Sequence, residues 1–113
     1  MEQTKELQAV MELKEALDQK FAQDIMVMDL RGITTIADFF VIATGSSTPQ
    51  MQALADTTKE LMANHEIPIH HIEGIQAGEW VLLDFGVVIV HLFDKENRNF
   101  YQLERIWGDA NIV

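Results

Sequence analysis

The chain has 113 residues, 48% of them hydrophobic and 23% charged, with a formal net charge of −10. That length suits one domain over residues 1–113 with a core of its own, and the composition excludes both a disordered chain and a membrane protein. Eight basic residues against eighteen acidic ones argue against direct binding to a nucleic-acid backbone, which rests largely on Lys and Arg displacing counterions, and so against a sequence-specific nucleic-acid partner. An acidic surface favours encounter with a basic partner, although charge alone is more simply a route to solubility. The start, MEQTKELQAV, has the character of neither a secretory signal nor a transit peptide. The longest apolar run, Val87 to Leu92 broken by His91, is far too short to span a membrane. With no cysteine, there is no disulfide framework, thiolate metal site or thiol nucleophile, and a cytoplasmic protein is expected.

In chain order, Leu7, Val10, Met11, Leu17 and Phe21 recur at helical spacing and predict an opening amphipathic helix. Asp24 to Arg31 reads as a strand ended by Gly32, and Asp38 to Thr44 as a second, with an unbroken apolar run from Phe39 to Ala43. After Gly45-Ser46-Ser47 a helix starts, with Thr48 expected as its cap and Pro49 in the first helical position. Met51, Leu54, Ala55, Thr58, Leu61 and Met62 form its buried stripe, and Pro68 keeps it from continuing. Ile69 to Glu73 is a short strand before the Gly74 to Gly78 loop. Glu79 to Phe93, EWVLLDFGVVIVHLF, predicts two strands around Asp84-Phe85-Gly86, the second apolar enough to lie centrally in a sheet. From Asn97 a last helix places Phe100, Leu103 and Trp107 on one face. The expected fold is α/β, with about five strands in a mixed sheet and helices packed on it.

Gly45-Ser46-Ser47 invites a reading as a nucleotide-binding or nucleotidyltransferase-like enzyme. A phosphate-cradling loop needs a Lys after its last glycine, yet the next one is Lys59, halfway down the helix. Two-metal nucleotidyl transfer needs clustered carboxylates, and the next acidic residue is Asp56 alone. An ordinary capped strand-to-helix turn accounts for the segment. Of the histidines, His70 and His71 point to opposite faces of their strand, while His71 and Glu73 share one. Two ligands do not make a metal site. His91, within an apolar strand, reads as a core histidine with both ring nitrogens satisfied.

Alternation places Trp80, Leu82 and Asp84 on one face of their strand and Val81, Leu83 and Phe85 on the other. If the Val81 face meets the helices, the Trp80 face is an exposed apolar and acidic patch suited to a basic protein. Alternatively, Trp80 packs under a helix and Asp84 only shapes the turn. The strand pattern fits both.

Asp24-Ile25, DFFVIATGSS from Asp38 to Ser47, Glu73-Gly74, EWVLLDFG, VIVHLF and the closing FYQLERIWGDA together resemble the Iojap or YbeB family of ribosomal silencing factors, RsfS. The resemblance runs from about Leu7 to Ala110. It implies a small α/β fold related to nucleotidyltransferases without their catalytic residues, hence no enzyme, cofactor or metal. It also implies binding to the large ribosomal subunit through ribosomal protein number fourteen, steric exclusion of the small subunit and repression of translation, with a homodimer as a further state. The partner-binding positions it implies are Trp80, Leu82 and Asp84, with Tyr101 from the closing helix. The chain departs from the family pattern at Val87, where an Asp is usual, and at Pro49-Gln50, where a basic residue commonly opens the helix.

Overall fold

The computed structural model describes residues 4–101, 105, 106, 108 and 110–113, with the backbone alone for Phe100 and Tyr101. Its elements are α1 (Lys5–Gln19), β1 (Gln23–Asp29), β2 (Phe39–Gly45), α2 (Thr48–Asn64), β3 (His71–Glu73), β4 (Trp80–Asp84), β5 (Val88–Asp94), α3 (Lys95–Tyr101) and β6 (Asn111–Ile112).

Thr4 caps α1 by accepting from the Leu7 N–H at 3.1 Å, and Ala9, Val10, Leu13 and Leu17 form the helix's buried side. The helix ends before Phe21, contrary to the spacing argument. Phe21 takes a positive φ of 67° and is 82% exposed. The Phe21 N–H donates to the Asp18 carbonyl and the Ala22 N–H to the Leu17 carbonyl, so a left-handed residue closes the helix and sends Ala22 back into the core. Glu66, φ 61°, ends α2 in the same way and returns Ile67 to the core. A second correction concerns the cap of α2. Ser47, with extended backbone, accepts from the Gln50 N–H at 3.1 Å, so Thr48 is already helical and Pro49 follows it. The predicted stripe is sound: Met51, Leu54, Ala55, Thr58 and Met62 are buried, with Leu61 packed partly against them.

The six strands form one mixed sheet in the order β3-β4-β5-β2-β1-β6. β2 and β5 run parallel over seven residue pairs, from Phe39 opposite Val88 to Gly45 opposite Asp94, and the other pairings are antiparallel. The Asp84 to Gly86 hairpin and the central place of β5 are as the sequence predicts. The sixth strand is an addition. Residues 111–112 pair with Met28 and Asp29, a stretch too short to show periodicity. The last helix starts at Lys95 rather than Asn97, because the Asp94 carboxylate accepts from the Asn97 N–H at 2.8 Å and closes its first turn. Leu103 and Trp107, expected on that helix, lie outside the described residues.

Strand alternation divides the core. Phe39, Val41, Ala43, Val81, Leu83, Val88, Val90 and Leu92 belong to the cluster formed with α1 and α2, while Met28, Leu30, Phe40, Ile42 and Phe93 belong to a smaller cluster on the opposite face. α3 packs on β5 and β2, and its buried Arg98 donates to the Thr44 hydroxyl at 3.0 Å. Where β1 ends, Arg31 grips the Asp29 carboxylate through two donors at 2.7 and 2.9 Å, which holds that carboxyl below its usual range. No helix among the described residues is long and apolar enough to cross a membrane.

Gln50 ties the two turns at the ends of α1 and β2 together. Its carbonyl accepts from the N–H and hydroxyl of Ser46, and its amide donates to the carbonyls of Lys20 and Phe21 at 3.1 and 3.0 Å. The residue that departs from the family's basic position is therefore engaged internally. Replacing Gln50 with Ala is expected to cost about 1 kcal/mol, a fall of roughly 4 °C in Tm. An unchanged melting curve would show that the clamp carries no stability.

Candidate functional site

β4 lies next to the edge of the sheet and is half-covered in strict alternation: Val81 and Leu83 are buried, whereas Trp80, Leu82 and Asp84 are only partly so. Val81 and Leu83 pack in the cluster beneath α1 and α2. The Trp80 face is therefore the one α1 and α2 leave uncovered, and Trp80 packs partly against the smaller cluster on that side. Register then assembles the surroundings. Trp80 stands opposite Phe93, Leu82 opposite His91 and Asp84 opposite Ile89, while β3 sets Glu73 beside Leu82 and His71 beside Asp84. An aromatic and aliphatic strip thus has an acidic and histidine margin on β3.

Glu73, Gly74, Trp80 and Leu82 line a shallow cleft of about 300 Å³. Gly74, φ 83°, is required here, since a Cβ on it would stand 2.0 Å from the Trp80 carbonyl oxygen. The loop before β4 can lie against the Trp80 backbone only without a side chain at that point.

The Trp80 indole N–H donates to His91 Nδ1 at 3.1 Å. The indole also meets Phe93 at 5.0 Å between ring centroids, and the imidazole lies 4.7 Å from Phe40. Accepting at Nδ1 requires a lone pair there, so the neutral ring carries its proton on Nε2. Nε2 is buried and has no hydrogen-bond partner among the described residues, which corrects the expectation that both nitrogens would be satisfied. The Trp80–His91 contact is the feature of this face that residue-by-residue reading overlooks. It was accessible in principle, because counting pairs outward from the Asp84 to Gly86 turn makes the two residues diagonal neighbours.

Asp84 has the turn-shaping role weighed from the sequence. Its Oδ1 accepts from the Gly86 N–H at 2.7 Å and shapes the turn, while the residue shares the Trp80 face. Val87, in the same turn, is 39% exposed. Tyr101 is the last residue of α3, and its side chain lies outside those described. The structure therefore brings Trp80 and Leu82 into one cleft and sets Asp84 further along the same strand.

The competing sites have structural explanations. Ser46 is bonded to Gln50 through both its N–H and its hydroxyl, and a Cβ at Gly45 would stand 2.6 Å from the Met51 sulfur. That glycine lets α2 pack closely on β2. His71 Nε2 and Glu73 Oε1 meet at 3.0 Å on the exposed surface, and no group of three or more metal-ligating side chains occurs among the described residues.

Burial lowers the His91 pKa from 6.5 to about 4. The unfolded chain therefore takes up this proton at higher pH than the folded one, so the stability present above pH 6.5 is lost as pH falls towards 4. By pH 4.5 the loss from this group reaches roughly 2 to 3 kcal/mol. Urea unfolding at pH 7.5 and 4.5 is expected to show a smaller fall for His91→Leu than for the wild type. Equal falls would show that His91 does not carry this acid sensitivity.

A model of the family described as "Ribosomal silencing factor during starvation", RsfS, matches residues 2–113. The chain is 43% identical over 98 residues to the ribosomal silencing factor RsfS of Halalkalibacterium halodurans, across 87% of this chain and 84% of that one. It is also 43% identical to RsfS of Bacillus subtilis, across 87% and 83% of the two chains. The crystal structure of a Chromobacterium violaceum protein superposes with a TM-score of 0.81 at 34% identity, covering 89% of this chain and 85% of the other. Sequence and architecture agree over nearly the whole length, and the chain belongs to the RsfS family of ribosomal silencing factors.

Proposed function

We propose that this protein binds the large ribosomal subunit through ribosomal protein number fourteen and keeps the small subunit from joining by occupying the surface between them. It acts as one domain over residues 1–113, in the cytoplasm, by steric exclusion rather than catalysis. Docking uses Trp80, Leu82 and Asp84, with Tyr101 contributing from the end of α3. Self-association into a homodimer is a separate state of the same chain.

The observation that carries this reading is the partly exposed Trp80 with Leu82 on the face of β4 that α1 and α2 leave open. A large aromatic beside an aliphatic neighbour, set in a shallow cleft, is the usual anchor of a protein interface. The net charge of −10 suits a basic ribosomal protein and opposes bare RNA, so electrostatics both speed encounter and discriminate against phosphate. Steric exclusion makes no demand for a nucleophile or a metal, and the Gly45 to Ser47 turn is occupied by its own packing.

Sedimentation of purified large subunits tests the proposal. Wild-type protein is expected to co-sediment and to block joining when small subunits are added, and folded Trp80→Ala is expected to lose at least tenfold in affinity, in the range of interface anchors. Wild-type protein left in the supernatant, with subunits joining freely, would overturn the reading. Val87→Asp places a second carboxylate near Asp84 and is expected to tighten binding about threefold. Unchanged affinity would put position 87 outside the interface.

A further inference from the structure

A tryptophan on a partly open sheet face is a good anchor only if its ring already stands where the partner meets it, because ordering a mobile ring on docking opposes affinity. We infer that His91 is a positioning residue for docking, holding the Trp80 indole in its binding orientation by accepting the indole N–H. This inference rests on the docking role proposed for Trp80.

Three observations carry it. The first is the bond itself, 3.1 Å from the indole nitrogen to Nδ1. The second is that His91, 4% exposed, is unable to offer a partner much surface of its own and is packed against Phe40 and Phe93. Its ring is fixed by the core, so it makes a rigid anchor for a side chain that is itself part-exposed. The third is the Nε2 group, a buried donor with no partner among the described residues. A leucine would fill this strand position without burying such a group, so packing alone does not explain an imidazole here. Holding the indole does. At neutral pH burial keeps the ring uncharged, which leaves the Nδ1 lone pair available.

The test combines affinity for purified large subunits with the indole N–H resonance of Trp80, assigned by Trp107→Phe because the chain has a second tryptophan. His91→Leu, checked for wild-type circular dichroism, is expected to shift that resonance and to weaken binding about tenfold, the effect of one lost hydrogen bond. His91→Asn, whose amide oxygen sits near the place of Nδ1, is expected to restore affinity to within about twofold. In a Trp80→Phe background, which lacks the N–H, His91→Leu is expected to cost no more than about twofold further. Should the Leu variant fail to fold, His91→Gln carries the same test, since its polar atoms lie one bond further out. Wild-type affinity in His91→Leu or His91→Gln despite a shifted indole resonance would overturn the inference, as would an equal tenfold loss without the indole N–H. If Trp80→Ala itself binds as the wild type does, the docking reading fails and the inference falls with it. If Trp80→Ala loses binding and the His91 variants keep it, only the positioning role fails.

Discussion

The parallel pairing of β2 with β5 is the constraint on which the rest of the molecule depends. Seven residue pairs join Phe39–Gly45 to Val88–Asp94, and every residue of β2 is buried. A central pair of this kind must be covered on both faces. α1 and α2 cover one of them, and the Gly45–Met51 approach sets α2 close against the strand. The other face has the smaller cluster around Phe40, Ile42 and Phe93, with α3 packed on β5 and β2. Coverage thins toward β4, which follows β5 outward through the tight Asp84 to Gly86 turn.

That gradient of coverage leaves part of the β4 face open for the docking proposed above. Trp80 and Leu82 gain a rigid backbone from β5, whose own side chains His91 and Phe93 form the floor beneath them. Sites carried on strands are held more closely than sites on loops, which suits the proposed action by occupying a surface. The acidic composition complements this. A ligand that repels phosphate but meets a basic protein face favourably is confined to few positions on a ribonucleoprotein.

Most of the fold was legible because it follows from period and punctuation. The Glu79 to Phe93 hairpin, the central place of β5 and the α2 stripe were all visible in alternation, helical spacing and glycine placement. The misplaced features are those where local chemistry is degenerate. Ser47 and Thr48 are both good caps, and only backbone conformation separates them. Phe21 continues the apolar spacing of α1, yet it is the residue that takes the left-handed conformation, a place where glycine would have been the signal. β6 is held by tertiary pairing and has no pattern of its own. For the site, residue type and alternation found Trp80, Leu82 and Asp84 and their common face, whereas coverage of that face depended on where the helices packed. The Trp80–His91 bond required cross-strand register, which a reading of each strand alone does not supply.

The central claim is that the Trp80 face, and not the helical face, meets the ribosome. Photo-crosslinking tests it most directly, with a photoreactive residue placed in turn at Leu82 on β4 and at the exposed Glu60 on α2. On purified large subunits the account predicts a crosslink from position 82 to ribosomal protein number fourteen and none from position 60. Crosslinking from position 60 with position 82 silent would contradict it.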